Sequence, residues 1–320
     1  MSADVLSADV PLLSVVVVVG PLRERAGPCL RRLLEQQLDG EIEVVLVDCA
    51  EPEFATLPVP HADDPRVRRL RVDPATTFAV SRARGVREAR APRVAFLEEH
   101  CRVTPGWATA VVAALDRGYA GVSYAFLHGN PGVGISDLSN LTSYSAFLHP
   151  TERRESRMLS GHNAAFRRDA LLAFGDRLEE LLECDLVLHE LLCRAGHKLL
   201  VEPTAVVAHL NETTVRARCA GLFHFNRIYA PLRAREFGWS FWRRAFYVLA
   251  APALPPYALR CHLRQLSRAE DRALLWRNLP IYFAVMWTAA WGQSLGLLFG
   301  PGDSPAAFTR FENSEPRPES

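Results

Sequence analysis

The chain has 320 residues, of which 49% are apolar, so it can bury a large core in one or two domains. Its 37 basic residues nearly balance its 36 acidic residues, and the overall charge therefore gives no support to nucleic-acid binding. The seven cysteines form no Cys-x-x-Cys pair, which is typical of a protein in a reducing compartment.

The sequence begins with a repeated Ser-Ala-Asp-Val, and residues 1–10 are predicted to form a disordered leader. No basic residue precedes Arg23 and the apolar run before it is short, so the pattern is not that of a secretory signal peptide. We therefore expect a protein of the cytoplasm.

Strands and helices are predicted to alternate over the first hundred residues. The predicted elements are the strands Leu13–Val19, Glu43–Asp48, Val67–Val72 and Val94–Leu97 and the helices Cys29–Glu35 and Phe78–Ala91. This alternation predicts a doubly wound α/β domain around a parallel sheet. Neither the turn Gly20–Gly27 nor Gly129–Gly134 has the spacing of a dinucleotide fingerprint or a P-loop, which argues against a dehydrogenase or an ATPase.

Two carboxylates and an imidazole directly follow the fourth strand. Glu98, Glu99 and His100 come after four apolar residues and before a Pro-Gly turn. Ligands of open α/β sheets bind beyond the carboxyl ends of the strands, where these three side chains are expected to lie. They could hold a divalent cation, or they could form a solvated acidic strand end, and the residues alone leave both interpretations open.

Six sequence blocks occur in a fixed order between residues 12 and 210. They are LSVVVVVG, EVVLVD, SRARGV, RVAFLEEHCRVTPGW, GHNAAFRRDAL and the block that runs from LECDL to VVAH. This order resembles that of the family 2 glycosyltransferases. The resemblance implies an α/β, Rossmann-like domain of the GT-A type over residues 11–210, a nucleotide-diphospho sugar as donor, and inversion at the anomeric carbon.

The resemblance assigns five residues to the nucleotide-sugar site. Asp48 falls where the family places an acidic residue against the base or ribose, and Arg82 falls beside the nucleotide. Glu98 falls in the motif that faces the diphosphate. His162 and Asn163 belong to a block that resembles the Gly-Gly-Asn of the sugar and acceptor side, and the histidine in place of the second glycine implies a tighter pocket.

The resemblance also implies a metal site. Glu98, Glu99 and His100 stand in place of the family's Asp-x-Asp motif. His209 falls where many GT-A enzymes place a histidine near the metal or diphosphate. The expected cofactor is a divalent cation, manganese or magnesium, and the longer carboxylate and the imidazole favour manganese.

Glu183 takes the place of the family's catalytic aspartate, in a block where the family has Glu-Asp-x-Asp-Leu. A general base must remove the proton of the acceptor hydroxyl as that hydroxyl attacks the anomeric carbon. Glu183 is therefore the predicted base, and Asp185 is the second candidate. The alternative is a plain amphipathic helix, because leucines 182, 186, 188, 191 and 192 form an apolar stripe.

The composition changes after His209. Residues 211–280 contain twelve arginines against four acidic residues, and residues 279–302 carry no charge. We predict that residues 211–302 form a basic and apolar helical region associated with the cytoplasmic face of a membrane. The uncharged stretch could span the bilayer, lie at its surface, or form a buried helical pair on the catalytic domain. Residues 303–320, rich in proline and glutamate, are predicted to be a disordered tail.

Three functions fit these observations. The first is a metal-dependent, inverting glycosyltransferase that acts on a lipid-linked acceptor or an envelope glycan. The second is a catalytically silent GT-A domain that binds a nucleotide sugar or a glycan at the membrane, and the replacements at 98, 100, 162 and 183 favour it. The third, a nucleotidyltransferase, shares the fold and the metal but explains fewer blocks. We predict the first, because every replacement can still ligate a metal or accept a proton.

Overall fold

The computed structural model of the protein describes residues 10–318. The leader predicted for residues 1–10 lies outside this range apart from Val10. The strands are β1 (Leu13–Val19), β2 (Ile42–Asp48), β3 (Val67–Arg71), β4 (Arg93–Phe96), β5 (Cys101–Val103), β6 (Gly121–His128), β7 (Arg154–Ser156), β8 (Ala164–Arg167) and β9 (Leu199–His209).

The helices up to β9 are α1 (Ala26–Leu34), α2 (Pro52–Ala55), α3 (Phe78–Glu88), α4 (Trp107–Asp116), α5 (Ser136–Tyr144), α6 (Arg168–Leu172), α7 (Arg177–Leu181) and α8 (Asp185–Arg194). Those after β9 are α9 (Val215–Glu236), α10 (Phe241–Leu249), α11 (Leu254–Gln265), α12 (Ala269–Arg277), α13 (Leu279–Phe299) and α14 (Ser304–Ser314). Short 3-10 helices cover Arg23–Arg25 and Ala251–Ala253.

The nine strands found within residues 10–318 form one sheet. Its order is β3-β2-β1-β4-β8-β6-β9-β5, and β7 also pairs with β9. β1 is parallel to β2 and β4, and β2 is parallel to β3. β8 runs antiparallel to both β4 and β6, whereas β6 is parallel to β9. The predicted parallel sheet is therefore correct for β1 to β4, and the sheet is mixed beyond them. The parallel part brings the carboxyl ends of β1, β2 and β4 to one edge.

β1 is buried along its whole length because helices cover both faces of the sheet. Val15, Val17 and Val19 belong to the core that includes residues of α1 and α4. Val16 and Val18 belong to the core that includes residues of α3 and α8. Alternate side chains of a strand point to opposite faces, so an uncharged run is what this position requires.

α3 lies unusually close to the sheet. A Cβ atom at Gly85 would lie 2.4 Å from Cγ1 of Val16, so the glycine permits the contact between helix and strand. Thr77 caps the helix, because its side chain accepts a hydrogen bond from the backbone N–H of Val80. The close packing and the cap together fix the direction in which the Arg82 side chain projects from the helix.

α13 packs along α9. A Cβ atom at Gly292 would lie 2.3 Å from the carbonyl oxygen of Phe223, so the two backbones are in direct contact. α9 also contributes Leu232 to the core under α3 and α8. No helix in the described part of the chain combines the length and the apolarity that crossing a bilayer requires.

The prediction that residues 303–320 are disordered is wrong for Ser304–Ser314, which form α14. Phe308, Thr309, Glu312 and Asn313 are buried, and their spacing places them on one face of the helix. The polar members of this face find partners in the rest of the fold, and composition alone does not reveal such partners. Each of these polar side chains makes at least one hydrogen bond, although Oδ1 of Asn313 has no partner among the described residues.

Candidate functional site

A buried cluster of metal-ligating side chains lies where β4 ends. Glu98 and His100 come from the loop after β4, Cys101 opens β5, and His209 closes β9. Nε2 of His209 lies 3.2 Å from Oε2 of Glu98 and 3.0 Å from Nε2 of His100. One ligating atom from each of the four residues lies within 4.8 Å of the others. The structure thus brings together three of the four predicted metal ligands and adds a thiol.

The charge states in this cluster suit a cation. Burial opposes ionisation of Glu98, but the imidazoles of His100, His162 and His209 around it hold its pKa well below the usual value. Burial and the neighbouring Arg317 lower the pKa of His100 to about 3, so its ring is neutral at pH 7. A carboxylate beside neutral imidazole is a donor set that manganese and zinc accept readily. The residues therefore fit a divalent cation.

Glu99, the fourth predicted ligand, is not part of the cluster. Its carboxylate forms an ion pair with Arg25. Burial opposes its ionisation, but Arg25 and His100 lower its pKa to about 2. Its second oxygen lies 3.6 Å from Nδ1 of His100, which is beyond hydrogen-bond distance.

Asp48 lies at the end of β2, as predicted, but its carboxylate is already engaged. Arg23 donates to both of its oxygens, at 2.7 and 2.8 Å, and Arg69 and Arg71 also pair with it. Burial opposes its ionisation, yet these partners and the backbone N–H of Ala50 lower its pKa to about 2. The contact with a base or ribose stays a prediction, and in this structure arginines hold the carboxylate.

A chain of polar contacts leads from the cluster to α8. Nδ1 of His162 lies 3.3 Å from Oε1 of Glu98, and its Nε2 lies 3.6 Å from Oδ2 of Asp185. Arg82 donates to both oxygens of Asp185, at 3.1 and 2.9 Å. The side-chain oxygen of Asn163 accepts from the backbone N–H of Glu98 at 2.9 Å. The chain brings the predicted residues at 82, 98, 162, 163 and 185 into one buried network.

The sequence matches a family model described as glycosyl transferase family 2 over residues 14–174. The chain belongs to this family. Its membership confirms the predicted resemblance and enzyme class, and together with the mixed sheet it confirms a GT-A-like α/β fold. No curated protein matches the sequence.

A solved structure similar to this family 2 glycosyltransferase is that of GalNAc-T7 with UDP, GalNAc and Mn2+. The two chains are 17% identical and superpose with a TM-score of 0.46. The match covers 62% of this chain and 43% of GalNAc-T7, so the glycosyltransferase described here matches less than half the length of that protein.

The two candidate bases of the glycosyltransferase have different surroundings. The hydroxyl of Thr77 donates to Oε1 of Glu183 at 2.8 Å. Burial raises the pKa of Glu183, and the Thr77 hydrogen bond opposes this rise. Burial opposes ionisation of Asp185, but the two hydrogen bonds from Arg82 help to hold its pKa below the usual value. A carboxylate with a raised pKa is the stronger base, which favours Glu183.

A cavity of about 630 Å³ in the glycosyltransferase opens beside this network. Glu98, His162 and Asp185 line one part of it. The remaining wall comes mainly from α9, α11 and α13 and includes Leu222, Phe225, Tyr257 and Met286. The cavity therefore joins a charged end to an apolar end.

Some residues of the site were not predicted. Cys101 could have been found from its position directly after His100. Arg25 lies in the first turn, and nothing in its spacing points to Glu99. Glu312 and Arg317 belong to a segment that was predicted to be disordered, and they reach the cluster across more than two hundred residues.

Replacement of Asp185 by Asn should destabilise the protein, because it leaves the Arg82 guanidinium buried without its charge partner. We expect the free energy of unfolding to fall by about 3–5 kcal/mol, measured by urea denaturation at pH 7. Asp169→Asn is the control, since that carboxylate pairs with Arg167 on the surface and should contribute less than about 1 kcal/mol. Equal effects for the two variants would show that the buried pair contributes no special stability.

Proposed function

We propose that this protein transfers a sugar from a nucleotide-diphospho sugar to an acceptor hydroxyl with inversion at the anomeric carbon. The observation that carries the proposal is the buried cluster of Glu98, His100 and His209 at the strand ends of a family 2 domain. The cluster is connected through His162 to Asp185, and the proposed base Glu183 precedes Asp185 by two residues. The donor diphosphate is proposed to lie over the cluster.

Glu98, His100 and His209 would hold the divalent cation. When bound, it would offset the charge of the leaving nucleoside diphosphate. Two imidazole donors favour manganese over magnesium, because magnesium prefers oxygen ligands. His162, between Glu98 and Asp185, is placed to donate to the donor sugar or to its phosphate.

Glu183 would remove the proton of the acceptor hydroxyl, and the hydroxyl oxygen would then attack the anomeric carbon from the side opposite the leaving diphosphate. A single displacement of this kind inverts the configuration. Arg82 positions Asp185, and both remain paired throughout the reaction. Asp185 therefore positions His162 and takes no proton.

We propose an acceptor with an apolar part, held at the cytoplasmic face of a membrane. The apolar end of the cavity supports this substrate class. Phe241, Trp242, Phe246 and Leu249 are 64–81% exposed, and their spacing puts them on one face of α10. Exposed aromatic residues on a helix, with arginines beside them, suit the interface of an anionic bilayer. A glycan or a lipid-linked acceptor would meet the site from this side.

Glu183→Gln should lower kcat by about 10²–10⁴-fold, because the amide cannot accept the proton. Nucleotide release would be measured with UDP-, GDP- and dTDP-sugars, manganese, and a detergent extract of membranes as the acceptor source. Glu35→Gln, an exposed carboxylate that pairs with Arg32, is the matched control and should leave kcat unchanged. Full turnover by Glu183→Gln would show that another group is the base.

The rate should fall on acidification as Glu183 becomes protonated, because a general base acts in its deprotonated form. Thr77→Val removes a hydrogen bond that lowers the pKa of Glu183, so the pKa rises and the acid limb of the pH–rate profile moves to higher pH. Thr77→Ser keeps the hydroxyl and should keep the wild-type profile. If the Thr77→Val and wild-type profiles coincide, the acid limb does not arise from protonation of Glu183.

The double variant Phe241→Ser, Trp242→Ser should bind vesicles of phosphatidylglycerol and phosphatidylcholine about tenfold more weakly than wild type in a sedimentation assay. Two aromatic side chains would lose their burial at the interface. Raised salt should weaken binding further, since the arginine contribution is screened. Leu57→Ser, which removes an exposed apolar side chain next to α2, is the control. The assigned surface would be wrong if Leu57→Ser also lost binding. It would also be wrong if the double variant bound vesicles as tightly as wild type.

A further inference from the structure

Residues 304–318, here called the strap, lie across the strand ends that the donor is proposed to occupy. The backbone N–H of Phe78 donates to the hydroxyl of Thr309 at 2.8 Å. The Asn313 side chain donates to Sγ of Cys49, directly after β2, at 3.2 Å. A Cβ atom at Gly20, directly after β1, would lie 2.6 Å from Cβ of Asn313. The strap therefore fills the space beyond β1 and β2.

Arg317 carries the strap into the metal cluster. The residue is buried, and its Nη1 lies 2.7 Å from Nε2 of His100. A guanidinium has only donors, so the imidazole nitrogen must supply its lone pair. That lone pair is the one a cation would need at Nε2. Arg317 and a cation at this atom of His100 thus exclude each other.

The electrostatic surroundings of Arg317 are those that a cation would have. Glu312 accepts from its Nη2 at 3.0 Å. The charges of Glu312, Glu212, Glu98 and Glu99 raise the pKa of the guanidinium further above its ordinary value. Buried carboxylates need a positive partner, and in this state of the protein Arg317 supplies it.

The strap also has the features of a segment that can leave. It follows Gly300 and Gly302, both with positive φ, which join it to α13. Because glycine tolerates many backbone conformations, the strap can change direction at these two residues without a change in α13.

We propose that the strap is an internal occupant of the donor site, with Arg317 in place of the cation, and that cation and donor bind only when it moves out. This rests on the proposed function, which places both ligands at these strand ends. The docked strap keeps the carboxylates neutralised in the absence of donor. Binding of cation and donor is then an exchange of one positive partner for another. The apparent affinity is the intrinsic affinity multiplied by the fraction of molecules in which the strap is out of the site.

The test measures affinity by calorimetry, with MnCl2 alone and then with UDP, GDP or dTDP in its presence. Arg317→Ala should bind manganese roughly tenfold more tightly than wild type or better. Arg317→Lys keeps the charge and should stay near wild type. Arg310→Ala, which removes an exposed arginine of the strap, is the matched control and should change nothing.

Limited trypsin digestion of the wild-type chain gives a second readout that requires no variant. Saturating manganese and nucleotide should accelerate cleavage after Arg310, because the Arg310–Phe311 bond lies inside α14 while the strap is docked and helical backbone resists proteolysis. Weaker or unchanged manganese binding by Arg317→Ala would overturn the strap proposal, as would unchanged cleavage at saturation. If folded Arg317→Ala binds no cation and no nucleotide, the metal site of the proposed function is wrong as well. This outcome distinguishes failure of the proposed function from failure of the strap proposal alone.

Discussion

The site depends on one buried carboxylate, that of Glu98. An ionised group away from water is tolerated only with partners, and Glu98 has three imidazoles and the amide of Asn163 around it. These partners come from β9, from the loop before β8 and from the loop after β4. Their elements must therefore meet at one place before the charge is stable. The mixed part of the sheet, in which β8 runs beside β4, makes that meeting possible.

Asp185 and Glu183 lie two residues apart, but their different surroundings give their carboxyl groups different tendencies to hold a proton. Asp185 is at the start of α8 and accepts both hydrogen bonds of a buried arginine, so its charge is fixed. Glu183, two residues earlier, has a threonine hydroxyl as its partner and lies in a place where burial favours the neutral form. The first carboxylate is suited to hold neighbours in position, and the second is suited to exchange a proton.

The sequence predicts the first half of the fold well, because β1, β2 and β4 each contain an apolar run that is buried on both faces of the sheet, and such runs are visible locally. It predicts the site residues that follow strands, such as His100, for the same reason. β5, β7 and β8 have three or four residues, too few to show alternation, so the antiparallel part of the sheet is not predicted. Glu312 and Arg317 are not predicted because their burial depends on partners that only the folded chain supplies.

The core that α9 shares with α3 and α8 limits where the chain could be cut without exposing apolar surface. The family match ends at residue 174, whereas His209 completes the metal cluster and Leu232 of α9 lies in the core under α3 and α8. α13 is in backbone contact with α9 in turn. A fragment cut at residue 174, where the family match ends, would present an uncovered apolar face to solvent. The smallest piece able to fold is therefore larger than the piece that carries the recognisable sequence, and the helices after β9 are part of the catalytic body.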